Sequence, residues 1–303
     1  MSQRAHQGEV AGTRWTPCQY LKFSQERLQP AIELLDRIPL EVPDVIYDLG
    51  CGSGHITHFL AKRWPSSRVY GIDNSPQMLA EAAAEPSTIH WADADIRSWV
   101  PEENPDLIYS NASLHWVDGH SELFTRLASY LNPGGCLAVQ MPLSWDLPSH
   151  RLMRDTLADG GPEGKPVGEA SLLAALSNKW VEDSDFYYDI LSPCTRRLDI
   201  WETRYLHALE GDDPVFEWVM GSGLRPILNG LPDAERNRFL EVYKQRLRGA
   251  YPRGSGDRTL YPFPRLFISI LATHKAGAVQ VPINKTANKV YNFQIMPAPV
   301  CRS

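Results

Sequence analysis

The run Asp48-Leu49-Gly50-Cys51-Gly52-Ser53-Gly54 is the segment whose residue types and spacing most clearly suit chemistry. Glycine lets the backbone come close to a ligand and tolerates positive φ. The spacing is G-x-G-x-G. A dinucleotide fingerprint is G-x-G-x-x-G, and its third glycine would fall on His55. A nucleotide triphosphate loop would need a Gly-Lys-Ser/Thr ending, which is absent. A second carboxylate, Asp73, closes the next apolar run, about 20 residues on, where an acid can accept both hydroxyls of a ribose. Asn74 stands beside it. Further along, Asp95 and Ile96 could meet an adenine amino group and ring, and Asn111 ends another apolar run. Asp73 and Asp95 would also serve as ordinary turn residues at strand ends. Ribose and adenine contacts without a pyrophosphate site point to S-adenosylmethionine as the ligand.

These residues need elements to hold them. A helical pattern from Ser24 carries Leu28, Ile32, Leu35 and Ile38, with Pro30 as a potential kink. Strands are expected over 45–49, 68–73, 88–91, 107–110 and 136–141. Helices are expected after Gly54 up to Pro65, from Pro76 to Ala84 behind a Ser75 cap, and along Leu123 to Leu131. Such alternation implies βαβ units and a doubly wound, mostly parallel sheet, an α/β fold. After Pro142 the pattern becomes mainly helical, with a loop over 159–166. The expected organisation is an N-terminal segment or lid over 1–23 and a Rossmann-like domain over 24–147. Strands near 198–207 and 260–272 would complete that domain. A helical cap would occupy 148–197 and 208–255, and 275–303 would form a tail.

Composition narrows the function. The 303 residues are 43% hydrophobic and 22% charged, with a net charge of −6, as in an ordinary globular protein. No long basic run suggests nucleic acid, and no 18-residue apolar run suggests a membrane span. Five cysteines without a C-x-x-C pair argue for a reducing compartment, the cytoplasm, and against a structural zinc; no metal is expected.

Asp-Leu-Gly-Cys-Gly-x-Gly followed by Gly71-Ile72-Asp73-x-Ser75-Pro76-x-Met78 resembles the class I S-adenosylmethionine-dependent methyltransferases. The likeness is closer to the branch that esterifies trans-aconitate. It runs through Ala94-Asp95-Ile96-Arg97, Asn111-Ala112-Ser113-Leu114-His115-Trp116, Ala138-Val139-Gln140-Met141-Pro142, Tyr187-Tyr188-Asp189-Ile190-Leu191, Ser222-Gly223-Leu224-Arg225-Pro226 and Phe263-Pro264-Arg265-Leu266-Phe267-Ile268. It covers residues 15 to 272. The resemblance implies a helical cap over the cofactor and a monomethyl ester of a small polycarboxylic acid as product. Another small acid or hydroxyl acceptor, or a cofactor-binding protein without transfer activity, are the alternatives. Bacterial members usually have Asn or another small polar residue where His55 stands and Gln where His115 stands, so the acceptor is open to a shift.

A carboxylate acceptor is ionised at neutral pH, with a pKa near ~4, so no general base is expected. Aromatic walls and arginine clamps are what the chemistry asks for. Tyr20, Trp116, Trp145 and Trp218 are the candidate walls; each could equally be core. Arg225 and Arg265 are the candidate clamps, against structural ion pairs. Tyr187 and His207 are further polar candidates. His115 sits where acceptor should meet cofactor, or else orients a loop.

Overall fold

The computed structural model describes residues 24–273. The N-terminal segment with Tyr20, and the tail over 275–303, lie outside the described residues. The elements in chain order are α1 (Ser24–Asp36), β1 (Val45–Leu49), α2 (His55–Arg63), β2 (Arg68–Asp73), α3 (Pro76–Ala82), β3 (His90–Asp93), β4 (Leu107–Asn111), α4 (His120–Tyr130) and β5 (Cys136–Pro142). They continue with α5 (Pro148–Asp159), α6 (Ala170–Leu176), α7 (Ser184–Leu191), β6 (Thr195–Glu210), α8 (Pro214–Met220), α9 (Arg225–Gly230), α10 (Asp233–Ala250) and β7 (Arg258–Ala272).

The seven strands form one sheet in the order β3-β2-β1-β4-β5-β7-β6. β1 to β5 pair in parallel, and β7 runs antiparallel to β5. This is the expected doubly wound, mostly parallel sheet. Strand order reverses between β1 and β4, and in open α/β sheets ligands bind at the carboxyl ends flanking such a reversal. Every residue of β1 and of β5 is buried, which is why both read as apolar runs interrupted by a single polar residue each, Asp48 and Gln140.

Each sheet face has its own core. One gathers Val45, Tyr47, Leu49, Ile108, Leu137, Val139 and Met141 with α4. The other gathers Ile46, Leu107, Tyr109, Cys136, Ala138 and Phe267 with Leu34, Leu35 and Ile38. Tyr109 fastens α1 by donating from its hydroxyl to the Ala31 carbonyl, 2.9 Å away. Pro30 lies inside α1 and is tolerated there.

Local chemistry sets the element ends. Ser75 caps α3, its Oγ accepting the Met78 N–H at 3.4 Å, with Pro76 at the first helical position. β3 lies two residues beyond its expected place, paired with β2 from Tyr70 to Asp73. β6 and β7 are longer than expected, at 16 and 15 residues. From Trp201 onward β6 alternates strictly between sheltered and exposed side chains, a period of two that the mixed polar sequence disguises.

Close contacts divide the chain into two units. One comprises Glu26–Leu143, Lys179–Tyr205 and the described residues from Phe263. The other comprises Ser144–Asn178 and Leu206–Pro262. The expected cap segment 148–197 is therefore split. Residues 179–197 belong with the sheet because α7 buries Tyr187 and Leu191 in the same core as Phe124 of α4.

Candidate functional site

The glycine turn follows β1. Gly50, Gly52 and Gly54 take φ of 74°, 55° and 77°, a region costly for residues with a Cβ. The Gly50 and Cys51 N–H groups donate to the Ile72 carbonyl at 2.7 and 3.0 Å, tying the turn to β2. A Cβ at Gly50 would overlap the Ser113 side chain, whereas one at Gly52 would meet nothing within 4 Å among the described residues. A Cβ at Gly54 or at Gly71 would overlap the Trp91 ring. Trp91 thus fills the floor of the turn, and Gly52 faces open space above it.

Two carboxylates serve this turn. Asp73, at the end of β2, accepts the Gly52 N–H on Oδ2 and the Ser75 N–H on Oδ1, both at 2.9 Å. It shapes the turn as well as facing it, and each oxygen keeps a further lone pair. Asn74 beside it is exposed. Asp48 is buried and accepts from Thr57 Oγ1 at 2.7 Å. Burial pushes its pKa up, the Thr57 hydrogen bond opposes this, and Asp73 adds to the rise, to about 7. A buried carboxylate poised near neutrality beside a second carboxylate favours a cationic ligand.

Past β3, Asp95 is engaged by Arg97, with Nε at 3.0 Å from both oxygens and Nη2 at 2.5 Å from Oδ2. That hydrogen-bonded guanidinium holds the Asp95 carboxyl below its usual range. Ile96 packs in the core. Arg126 of α4 donates to the Ile96, Arg97 and Trp99 carbonyls at 2.9, 3.1 and 2.7 Å, so it pins this loop.

After β4, Asn111 has its Oδ1 buried without a hydrogen-bond partner among the described residues. Ala112 follows at φ 51°, and Leu114–Trp116 make one 3-10 turn. The His115 and Trp116 rings lie 4.7 Å apart, and Trp116 is 47% exposed. His120 anchors this turn. Its Nε2 lies 3.0 Å from the Leu114 carbonyl, which can only accept, so Nδ1 accepts from the Tyr187 hydroxyl at 2.6 Å. Burial lowers the His120 pKa and keeps the ring neutral. Tyr187, offered from sequence as a polar ligand, is fully buried, and its hydroxyl also accepts the Glu182 N–H at 3.2 Å. It belongs to the support of the loop.

On β7, Arg265 is buried at 5% exposure with its guanidinium carbon 4.4 Å from the Phe263 ring centre. Nearby on β6, Tyr205, Thr203 and Trp201 donate to Glu33 of α1, the latter two at 2.8 and 2.9 Å. Burial would raise the Glu33 pKa, but these bonds and Arg37 outweigh it and leave it lowered.

In the other unit, Trp218 is 2% exposed, stacks on His207 at 4.7 Å and meets Tyr261 edge-on at 5.6 Å. Ser149 Oγ joins Tyr261 Oη and His150 Nδ1, both at 3.1 Å. Burial pushes the His150 pKa down to about 4. Trp145 lies under Arg154, whose guanidinium carbon is 3.8 Å from the ring centre. Arg225 opens α9, and Gly223, just before it, leaves room for His150. The structure thus joins the glycine turn, Asp48 and Asp73, and separately His207 and Trp218. Thr57, Ser113, His120, His150 and Glu33 were not legible as supports, because each role depends on packing that residue type and spacing do not show.

A family profile for a methyltransferase domain matches residues 46–135. A trans-aconitate 2-methyltransferase of Pseudomonas aeruginosa (strain UCBPP-PA14) is 45% identical over 255 residues, 84% of this chain and 93% of its own length. One from Escherichia coli O157:H7 (strain EC4115 / EHEC) is 44% identical over 254 residues, 84% and 96% of the two chains. The YcgJ protein of Bacillus subtilis superimposes with a TM-score of 0.52 at 11% identity, over 81% of this chain and 98% of that one. The fold is that of the class I methyltransferases.

Proposed function

The chain belongs to the trans-aconitate 2-methyltransferase family, and from that premise we propose that it forms the monomethyl ester of trans-aconitate or a closely related small polycarboxylic acid. The methyl donor is S-adenosylmethionine. The glycine turn, with open space above Gly52 and the carboxylates of Asp48 and Asp73 beside it, suits that donor's sulfonium, ammonium and ribose. It is the observation that carries the reading. Bound there, S-adenosylmethionine supplies an electrophilic methyl group on a cationic sulfur.

The residues proposed to hold it are Asp48, Gly50, Gly52, Gly54, Asp73, Asn74, Asp95, Ile96 and Asn111. Asp95 would have to share its carboxylate between Arg97 and the adenine. An acceptor carboxylate arrives ionised, so no residue need remove a proton. The protein's work is to orient the acid in line with the methyl group and to hold the carboxylates that do not react. We assign the holding to Arg225 and Arg265, whose planar forks match a carboxylate. His115, His207 and the indoles of Trp116, Trp145 and Trp218 complete the proposed acceptor set. Water exclusion by such walls favours a step in which opposite charges cancel. The free thiols Cys51, Cys136 and Cys194 fit a cytoplasmic setting. Among the described residues no helix is long and apolar enough to cross a membrane.

The test is conversion of S-adenosylmethionine to S-adenosylhomocysteine with trans-aconitate, cis-aconitate, citrate, isocitrate and 3-isopropylmalate, the ester being identified by mass. Turnover with trans-aconitate or a near analogue is expected. Tight cofactor binding with no turnover on any acid would overturn the reading.

A further inference from the structure

One polar side chain at the carboxyl end of the sheet is used by none of the chemistry above. Gln140 of β5 is fully buried, and both its Oε1 and its Nε2 lack a hydrogen-bond partner among the described residues. Its neighbour in register on β4 is Asn111, whose Oδ1 is likewise buried and without a partner. The two amides therefore do not satisfy one another. A buried primary amide with neither end bonded is rare in folded proteins and calls for an explanation, of which a group bound in function is one.

The register says which group. Gln140 shares its sheet face with Asn111 and Ala138, and across β7 with Phe267 in register and Arg265 two residues on. Along that face the sheet runs from Asp48 and the glycine turn on β1, through Asn111 on β4 and Gln140 on β5, to Arg265 on β7. Gln140 therefore stands between the turn assigned to the methyl donor and the arginine assigned to the acid. Asn111, nearer the turn, leaves an acceptor oxygen, which suits a cation. Gln140 also offers two N–H donors, which suit an anionic oxygen.

We propose that Gln140 is a specificity-determining residue whose Nε2 hydrogen-bonds the reacting carboxylate of the acceptor acid, fixing which oxygen faces the methyl group. This inference rests on the carboxyl methyltransferase reading. Gln140→Met keeps the shape and removes both unsatisfied groups. Its expected signature is a KM for the acid raised at least 10-fold, a Kd for S-adenosylhomocysteine within twofold of the parent, and a melting temperature equal or higher. A merely structural glutamine would do the reverse, lowering the melting temperature and leaving KM alone. A Kd for S-adenosylhomocysteine that rises in step with KM would assign the amide to the cofactor and overturn the proposal, as would an unchanged KM.

Should Gln140→Met fail to fold, Gln140→Glu decides. Burial raises a carboxyl pKa, so that variant should bind the acid poorly at pH 8 and regain affinity towards pH 6, relative to the parent. A flat ratio between those pH values overturns the proposal. Both variants are run beside the unaltered protein in one assay with trans-aconitate and the other acids. No turnover by the unaltered protein refutes the methyltransferase reading itself. Turnover that survives unchanged in the variants refutes only the role of Gln140.

Discussion

Replacing Asp48 by Asn should make the unliganded protein more stable above neutral pH and its cofactor binding weaker. Asp48 is buried, and its pKa lies at about 7 against 3.8 for the free side chain. The folded state thus binds a proton more tightly than the unfolded chain does. Stability from this group is fully present below pH 3.8, declines as pH rises, and is lost above about 7. A displacement of about 3 pKa units corresponds to about 4 kcal/mol. Solvent and relaxation reduce this, so about 2–4 kcal/mol is the expected difference at pH 8. Asn keeps an oxygen for the Thr57 hydroxyl and carries no charge. At roughly 2–3 °C per kcal/mol for a chain of this size, the variant should melt about 4–12 °C higher at pH 8. The advantage should shrink at pH 5 and vanish below pH 4. Cofactor binding should show the opposite. The ammonium and sulfonium of S-adenosylmethionine favour the ionised carboxylate, so at pH 6 binding to the parent protein should release protons. Calorimetry in two buffers of different ionisation enthalpy reads this directly. The variant should release none and bind S-adenosylmethionine at least 10-fold more weakly. An Asn variant that melts at or below the parent temperature at pH 8, or a parent protein without proton release, would refute the reasoning.

Gly50→Ala and Gly52→Ala should separate stability from binding. The first forces a methyl into Ser113 at positive φ and should cost more than about 2 kcal/mol of unfolding free energy; the second should cost about 1 kcal/mol yet weaken cofactor binding more than 10-fold, read by urea unfolding and titration. Tyr187→Phe keeps the ring among Phe124 and Phe186 but strips the donor from His120 Nδ1, so it should cost about 1–3 kcal/mol in urea unfolding. Because burial lowers the His120 pKa, its contribution to stability is present above about pH 6.5 and is lost as pH falls below it, and the acid limb of a stability profile checks this. Glu33→Gln leaves three donors sharing one neutral oxygen and should lower the melting temperature, with no more than a twofold change in cofactor Kd.

The first five strands could be read from sequence because each is a short run bounded by turn residues, with β1, β4 and β5 buried along all or nearly all of their length. The glycine turn was legible for a related reason: three positive φ values at alternate positions are cheapest for glycine. β6 was legible in its middle alone. Its sheltered side chains include Trp201, Thr203 and Tyr205, whose polar atoms are satisfied by a carboxylate 168 to 172 residues earlier, and no local pattern reveals that. Tyr187 was read as a ligand because a tyrosine hydroxyl looks functional until His120 is found to take it. The protonation of Asp48 was hidden too, since it depends on burial and on Asp73 rather than on residue type. Gln140 lay within a motif that was noticed as text, but an amide without partners becomes visible only once the neighbouring strands are in register.

The strand order also bears on how the chain comes off the ribosome. β5 is complete at Pro142, but the strand that pairs with its outer edge ends at Ala272. At synthesis rates of about 5–20 residues per second, that edge waits for roughly 6–26 s with its backbone donors and acceptors unpaired. β5 is short, uncharged and apolar apart from Gln140, the kind of edge that recruits a neighbouring nascent chain. Glu33 waits longer still, roughly 9–34 s, for the β6 side chains that complete its shell. The nascent protein therefore passes through a half-sheet whose exposed margin needs shielding, and trigger-type holdases that cover apolar strands should raise its soluble yield more than they do for a sheet closed in chain order.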